Sequence, residues 1–274
     1  MNNRAAVNRA EVYSISRYIT EIYDQTETQR DDLVLIKSLI GRKSAWILEP
    51  FCGHGRLLIP LAMAGHKVVG MDLSQVFLRC LQERIEALPL EVRRRVVFKW
   101  ADVIKEEWPS GFNVVILGAN CLYELATPEE QEHCIRSAAR ALVPGGYLYL
   151  DNGHMEGDLD PSWCKSGVQE SVFPTGICAD GTRVRGTSEV IWYDRALRLV
   201  RFRRTVTVQT PHGRVSRQEW VQQKHPPSTE EMKRWLGAHG FVIKGLWGNR
   251  DGEPYTDSSP RAVFWARKAT GSDG

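Results

Sequence analysis

Trp46-Ile-Leu-Glu49-Pro-Phe51-Cys-Gly53-His-Gly55-Arg56-Leu-Leu58 is the stretch on which the fold turns. Ala45–Glu49 is a short apolar run closed by an acid, and Arg56–Ala64 reads as a helix, the two joined by Gly-His-Gly. A Gly-X-Gly turn between strand and helix lets the backbone approach a ligand closely and aims helix N–H groups at it. Alone, it is equally well explained as a tight connection that holds nothing. A dinucleotide fingerprint would place a third glycine at position 58. That residue is Leu58, so the fingerprint fails.

Outward from this turn the same rhythm repeats. Lys67–Asp72 reads as strand, Gln75–Leu88 as helix, Val96–Trp100 and Asn113–Gly118 as strands, Pro128–Leu142 as helix and Tyr147–Asp151 as strand. Strands that are apolar throughout and separated by helices indicate βαβ units and a parallel sheet covered on both faces. Upstream, residues 11–40 read as helical, with Ile15, Tyr18, Ile19, Ile22 and Tyr23, then Leu33, Leu35, Ile36, Leu39 and Ile40, near helical spacing, and Gly41 as C-cap. Downstream, residues 152–182 read as loop. Thr182–Tyr193, Leu197–Thr210 and Gly213–Gln223 follow as an antiparallel meander in which Val200, Phe202, Val206 and Val208 alternate with polar residues. Ser228 then caps a helix ending at Gly240, and strands Phe241–Trp247 and Ala262–Arg267 close the domain. This gives three parts: a helical segment over 1–44, a core over 45–151 plus 226–268, and an inserted lid and substrate region over 152–225.

The chain's 274 residues, 42% apolar and 25% charged, suit a globular domain with a real core. A net charge of +3 is too small to call for nucleic acid, and Arg93-Arg94-Arg95 reads as a solvated face. The six cysteines include no CxxC pair, so thiols in a cytoplasmic protein are expected, with no disulfide framework and no metal. No signal peptide and no run of about 18 apolar residues is present, so no membrane is expected as a partner. Self-association into a homo-oligomer stays open.

Three acids decide the chemistry. Glu49 ends the first strand, Asp72 ends the second 23 residues on, and Asp102 follows the third. Ligands of a parallel sheet bind at the carboxyl ends of its strands. There, Asp72 can accept from both ribose hydroxyls and Asp102 from an adenine amino group. An acid beside a glycine turn suits S-adenosyl-L-methionine, which has an ammonium and a sulfonium but no pyrophosphate.

With these residues in view, the sequence resembles the class I S-adenosylmethionine-dependent methyltransferases from about Trp46 to Asp151, including the Pro144-Gly145-Gly146 turn. The resemblance implies an α/β, Rossmann-like fold: a mostly parallel seven-stranded sheet with helices on both faces, here with an inserted antiparallel β-meander. More narrowly, Leu117–Leu125, Val143–Asn152, Arg204–Gln209 and Tyr255…Lys268 are similar to the glycine N-methyltransferase branch. It implies a cofactor site of Tyr23, Arg30, Glu49, Phe51, Gly53, Gly55, Asp72, Leu73, Asp102, Val103 and Asn120. Arg30 would bind the cofactor carboxylate, although Tyr23 and Arg30 equally suit a surface helix. Phe51 stands where the family has its first glycine, and Gly153 where it has a substrate-binding arginine.

The reaction expected is methyl transfer to a small molecule, an amine nitrogen first and a hydroxyl as alternative; a non-catalytic binding module is the other class carried. Asn120, Tyr123 and His154 are the catalytic candidates, with Glu124 as a further candidate base. Tyr23, Asn152, Arg185, Trp220 and Tyr255 are the substrate candidates. Arg183 or Arg185 could supply the cation absent at 153. Trp163, Phe173 and Trp247 could also line the acceptor site, though such aromatics more often fill a core. Nucleic-acid amino-methyltransferases carry an Asn/Asp-Pro-Pro-aromatic tetrad where this chain reads Asn120-Cys-Leu-Tyr123, without the prolines.

Overall fold

The computed structural model describes residues 11–153, 156, 161–163 and 165–270. Its helices are α1 (Glu11–Ser14), α2 (Arg17–Thr26), α3 (Asp31–Ile40), α4 (Leu58–Met63), α5 (Gln75–Glu86), α6 (Leu90–Arg93), α7 (Pro128–Ala141) and α8 (Thr229–Ala238). Its strands are β1 (Trp46–Glu49), β2 (Lys67–Asp72), β3 (Val96–Trp100), β4 (Phe112–Leu117), β5 (Leu142–Gly153), β6 (Val168–Ile177), β7 (Arg183–Asp194), β8 (Leu199–Gln209), β9 (Val215–Lys224), β10 (Phe241–Trp247) and β11 (Arg261–Lys268). The chain packs as two compact units: Gln29–Leu122 with Pro128–Glu156 and Pro227–Gly274, and Met1–Thr28 with Tyr123–Thr127 and Gly157–Pro226.

The larger unit holds a seven-stranded sheet in the order β10-β11-β5-β4-β1-β2-β3. All neighbours are parallel except β11, which runs antiparallel to β5 and β10. Ile47 and Leu48 of the central β1 are fully buried, as an apolar strand covered on both faces requires. α5 buries Phe77, Leu78, Leu81 and Ile85 along one stripe, and α7 buries Cys134, Ile135, Ala138 and Ala141. Ser74 caps α5 by accepting from the Phe77 N–H at 3.2 Å. Ser228 and Glu231 cap α8 reciprocally, a capping box.

The smaller unit is an antiparallel sheet in the order β6-β7-β8-β9 with α1 and α2. Ile19 and Ile22 of α2 are buried, as are Val184, Val200, Phe202, Val206, Val208 and Trp220 of the sheet.

Two expectations need correcting. The helix after the glycine turn begins at Leu58 rather than Arg56: the turn that Gly53 (φ +53°) and Gly55 (φ +89°) open runs on through Arg56 and Leu57. The stretch 152–182 is not all loop: β5 continues through Gly153, a 3-10 turn spans Pro161–Trp163, and β6 runs over Val168–Ile177. β6 is an edge strand whose Val168 and Val172 are 64% and 84% exposed, so it shows no alternation of apolar and polar residues. Pro174 interrupts its pairing between Ser171 and Gly176, a position an edge tolerates. Among the described residues no helix is long and apolar enough to cross a membrane.

Candidate active site

β1, β2, β4 and β5 end on one edge of the seven-stranded sheet, and the three acids stand along it. Glu49 closes β1, 6% exposed, and its Oε2 is buried with no hydrogen-bond partner. Burial pushes this carboxyl up to about 8, with Asp32 and Asp72 adding to the rise and Arg56 opposing it. Asp72 at the end of β2 accepts from the Gly53 N–H through one oxygen and from the Ser74 N–H through the other, both at 2.8 Å. Burial raises its pKa against those two bonds. One carboxylate therefore ties the glycine turn to β2 and to the start of α5. A side chain at Gly55 would stand 2.5 Å from Leu81 Cδ1, so packing as well as φ demands glycine there.

Asp102 accepts from the Ile104 N–H at 3.0 Å and lies 3.3 Å from Lys105 Nζ. The neighbouring candidates are half-buried Phe51, half-buried Leu73, whose carbonyl accepts from Trp100 Nε1, and buried Val103, whose carbonyl accepts from Trp108 Nε1.

The corner formed by β4, β5 and β11 is a charge network. Asn120 sits just past β4 in the left-handed region (φ +60°), its N–H donating to the Asp151 carbonyl at 3.0 Å. Its Oδ1 accepts from the Gly153 N–H at 2.6 Å and from Arg261 Nη2 at 2.9 Å. Asp151, fully buried, receives Arg261 on Oδ1 (2.6 and 2.7 Å) and Arg250 on Oδ2 (2.8 and 2.9 Å). Arg250 also reaches Asp31 at 3.2 Å and Asp32 at 3.8 Å. Asp32, fully buried, takes both Nη groups of Arg56. Burial alone would raise the Asp32 carboxyl, but Arg56 and Arg250 outweigh it and hold it below its ordinary value.

Sequence reasoning missed Asp32, Arg56, Arg250 and Arg261. β11 pairs in register with β5, placing Arg261 directly opposite Gly153. The cation absent from 153 thus stands one strand over, although Asp151 already matches its charge.

The remaining candidates of this unit lie apart. Arg30 is exposed at the start of α3, donating to the Gln29 carbonyl at 3.0 Å. Asn152 is fully buried, donating to Met232 Sδ of α8 at 3.3 Å, with its Oδ1 unpartnered. The Tyr255 ring lies 5.8 Å from Lys233 Nζ.

In the smaller unit, Tyr23 meets Phe173 edge-on at 5.6 Å, and Tyr123 meets Trp163 edge-on at 5.9 Å. Trp220 is buried opposite Arg204. Arg185 is exposed and pairs loosely with Glu170 at 3.6 Å, on the sheet surface. Arg183 is exposed too. His154 lies outside the described residues.

Comparison with known proteins bears on the fold and the family. Residues 47–146 match the family described as Methyltransferase domain. The chain is 26% identical over 255 residues to the cypemycin N-terminal methyltransferase of a Streptomyces sp, covering 87% of this chain and 94% of that protein. Among solved structures it is similar to the sugar N-methyltransferase KedS8 from Streptoalloteichus sp ATCC 53650, with TM-score 0.69, 17% identity and 94% of each chain covered. It is also similar to the CcbJ methyltransferase from Streptomyces caelestis, with TM-score 0.67, 21% identity, and 88% of this chain and 94% of that one covered. At such identities the two structural likenesses speak for the fold.

Proposed function

We propose that this chain, a class I methyltransferase by its seven-stranded sheet and by the methyltransferase domain matched over residues 47–146, moves a methyl group from S-adenosyl-L-methionine to a small-molecule acceptor, an amine nitrogen. The observation that carries the reading is Glu49, a carboxyl buried at the end of the central strand with one oxygen facing no donor. A buried polar group left unpaired is costly, and an ammonium group beside it would remove that cost. Acids at three strand ends, around a glycine turn, fit a ligand that is cationic, carries ribose and adenine, and has no pyrophosphate.

In this reading the segment Glu49–Gly55 holds the methionine part of the cofactor. Asp72 takes the ribose hydroxyls on the lone pairs its two backbone bonds leave open, and Asp102 takes the adenine amino group. Leu73 and Val103 flank them. When bound, the cofactor supplies a methyl group on a sulfonium, electrophilic enough to need no protein nucleophile. The chain's own residues then act by positioning, the source of most of the rate in such a displacement. Asp72 locks the glycine turn, and Asn120 is a positioning residue, its Oδ1 held by the Gly153 N–H and Arg261. A base is needed only for an acceptor that arrives protonated.

Nitrogen as the acceptor atom draws support from the names of two relatives, the cypemycin N-terminal methyltransferase and the sugar N-methyltransferase KedS8. The narrower likeness to glycine N-methyltransferases rests on Asn120, Tyr255, the strand segments and the antiparallel insertion. Glycine itself is a poor acceptor here: position 153 has no side chain, and Arg261 opposite it is already matched by Asp151. Turnover of S-adenosyl-L-methionine against matched amines and alcohols, followed by mass spectrometry, tests the reading. Methylated amines are expected, with glycine among the slowest. Turnover confined to the alcohols would replace nitrogen by oxygen, and glycine with the highest kcat/KM would restore the narrower likeness.

A further inference from the structure

The inner face of the four-stranded sheet breaks its own pattern. β8 turns Val200, Phe202, Val206 and Val208 into the core, and the residue in the middle of that alternating row is Arg204. On β9, Trp220, Gln222 and Lys224 stand opposite Arg204, Phe202 and Val200. Two cations on an apolar face are expensive unless something answers their charge. Burial lowers the pKa of both, although Glu124 works against that fall.

Arg204, Trp220, Gln222 and Lys224, with Tyr13, Phe173 and Glu124, line a small open cleft contained within the smaller unit. Glu124 accepts from Lys224 Nζ at 3.3 Å, from Gln222 Nε2 at 3.1 Å and from the Tyr13 hydroxyl at 3.5 Å. The Lys224 charge is thereby matched. Arg204 is held differently: its Nε donates to Gln222 Oε1 at 3.2 Å, and its guanidinium lies 4.6 Å from the Phe202 ring centre. Among the described residues neither of its Nη groups has a hydrogen bond or ion pair. Two cations against one carboxylate leave a single positive charge, carried by a planar fork whose two arms are open. That geometry suits a carboxylate taken bidentately. The other walls are flat: the Tyr13 and Phe173 rings stack at 5.8 Å and 26°, and Trp220, 7% exposed, lines the same cleft.

We propose that this cleft binds a small organic monocarboxylate on a flat, aromatic body, its carboxylate held by Arg204 and its ring against Tyr13, Phe173 and Trp220. A phosphate monoester would bring a second negative charge that the cleft does not match. The inference goes beyond the proposed methyl transfer, and binding at the cleft does not depend on it.

Ligand-observed NMR tests the site with anthranilate and 4-aminobenzoate, each beside its carboxamide, against the wild type, Arg204→Gln and Arg204→Lys. Calorimetry with S-adenosyl-L-methionine on the same samples shows that each variant is folded and reads the cofactor site separately. The carboxylates should bind the wild type at least tenfold more tightly than their amides. Arg204→Gln should erase that preference and Arg204→Lys retain part of it, with cofactor affinity unchanged. Carboxylates and amides binding alike, neither binding, or a preference that survives Arg204→Gln would overturn the site. Carboxylate binding without any cofactor binding would uphold the cleft and instead remove the methyl-transfer reading.

Discussion

Glu49 keeps its proton in the folded chain over a pH range in which the unfolded chain releases it, because burial lifts its carboxyl from an ordinary 4.5 to about 8. The raised value favours the folded state fully below about 4.5, and that contribution is lost as pH rises toward 8. Glu49→Gln, which has no proton to lose, should therefore gain stability relative to the wild type between those limits, as read by urea unfolding at several pH values. An ammonium ligand needs the ionised carboxylate. Cofactor affinity should thus rise with pH, by about tenfold per unit below 8, and fall again above it, where the cofactor's own α-ammonium, of pKa about 8, loses its proton. Calorimetry in buffers of different ionisation enthalpy should detect the proton released on binding, and Glu49→Gln should bind weakly and without the tenfold rise per unit below 8. Affinity that falls as pH rises from about 5 to about 7 would contradict the assignment. Asp72→Ala removes a carboxylate with two backbone bonds and should cost about 1–3 kcal/mol of cofactor affinity.

At the scale of elements, the ends of β5 and β11, α3 and the loop after β10 are joined by Asp151, Arg261, Asp32, Arg250 and Arg56 rather than by apolar contact alone. Removing one partner of a buried pair leaves its mate uncompensated, at about 3–5 kcal/mol. Asp151→Asn should therefore lower the urea midpoint sharply. Glu189→Gln, which breaks a half-exposed pair with Arg203, should shift stability by less than about 1 kcal/mol. Equal effects would show that the network is ordinary surface charge. Elements whose residues share one local pattern were legible. β1 and β2 are apolar up to their closing acids Glu49 and Asp72, apart from Lys67 at the start of β2, α8 carries its capping box in Ser228 and Glu231, and Phe241–Trp247 reads as a strand of those bounds. β6 was not legible, because an edge strand that exposes Val168 and Val172 on its outer face and is broken by Pro174 has no apolar period to find.

Over the whole molecule, legibility followed distance along the chain. Glu49, Gly53, Gly55, Asp72 and Asp102 belong to successive strand ends, so a repeating βαβ pattern brings them to one edge without further information. Arg250, Arg261 and Asp32 reach that neighbourhood from more than 200 residues apart in sequence, and only the pairing of β11 with β5 and the fold of α3 reveal them. The cleft around Arg204 was hidden for another reason: an arginine in a strand reads as solvent-facing, and only the register of β8 and β9, which sets Arg204 opposite buried Trp220, places it inward. The most direct test of the central claim is a calorimetric titration of S-adenosyl-L-methionine into the wild type and the double variant Glu49→Gln/Asp72→Ala, with circular dichroism confirming that both are folded. One site per chain on the wild type, weakened at least a hundredfold in the double variant, is the expected result. A wild type that does not bind, or a folded double variant that binds as tightly, would contradict the placement of the cofactor along the edge formed by Glu49, Asp72 and Asp102.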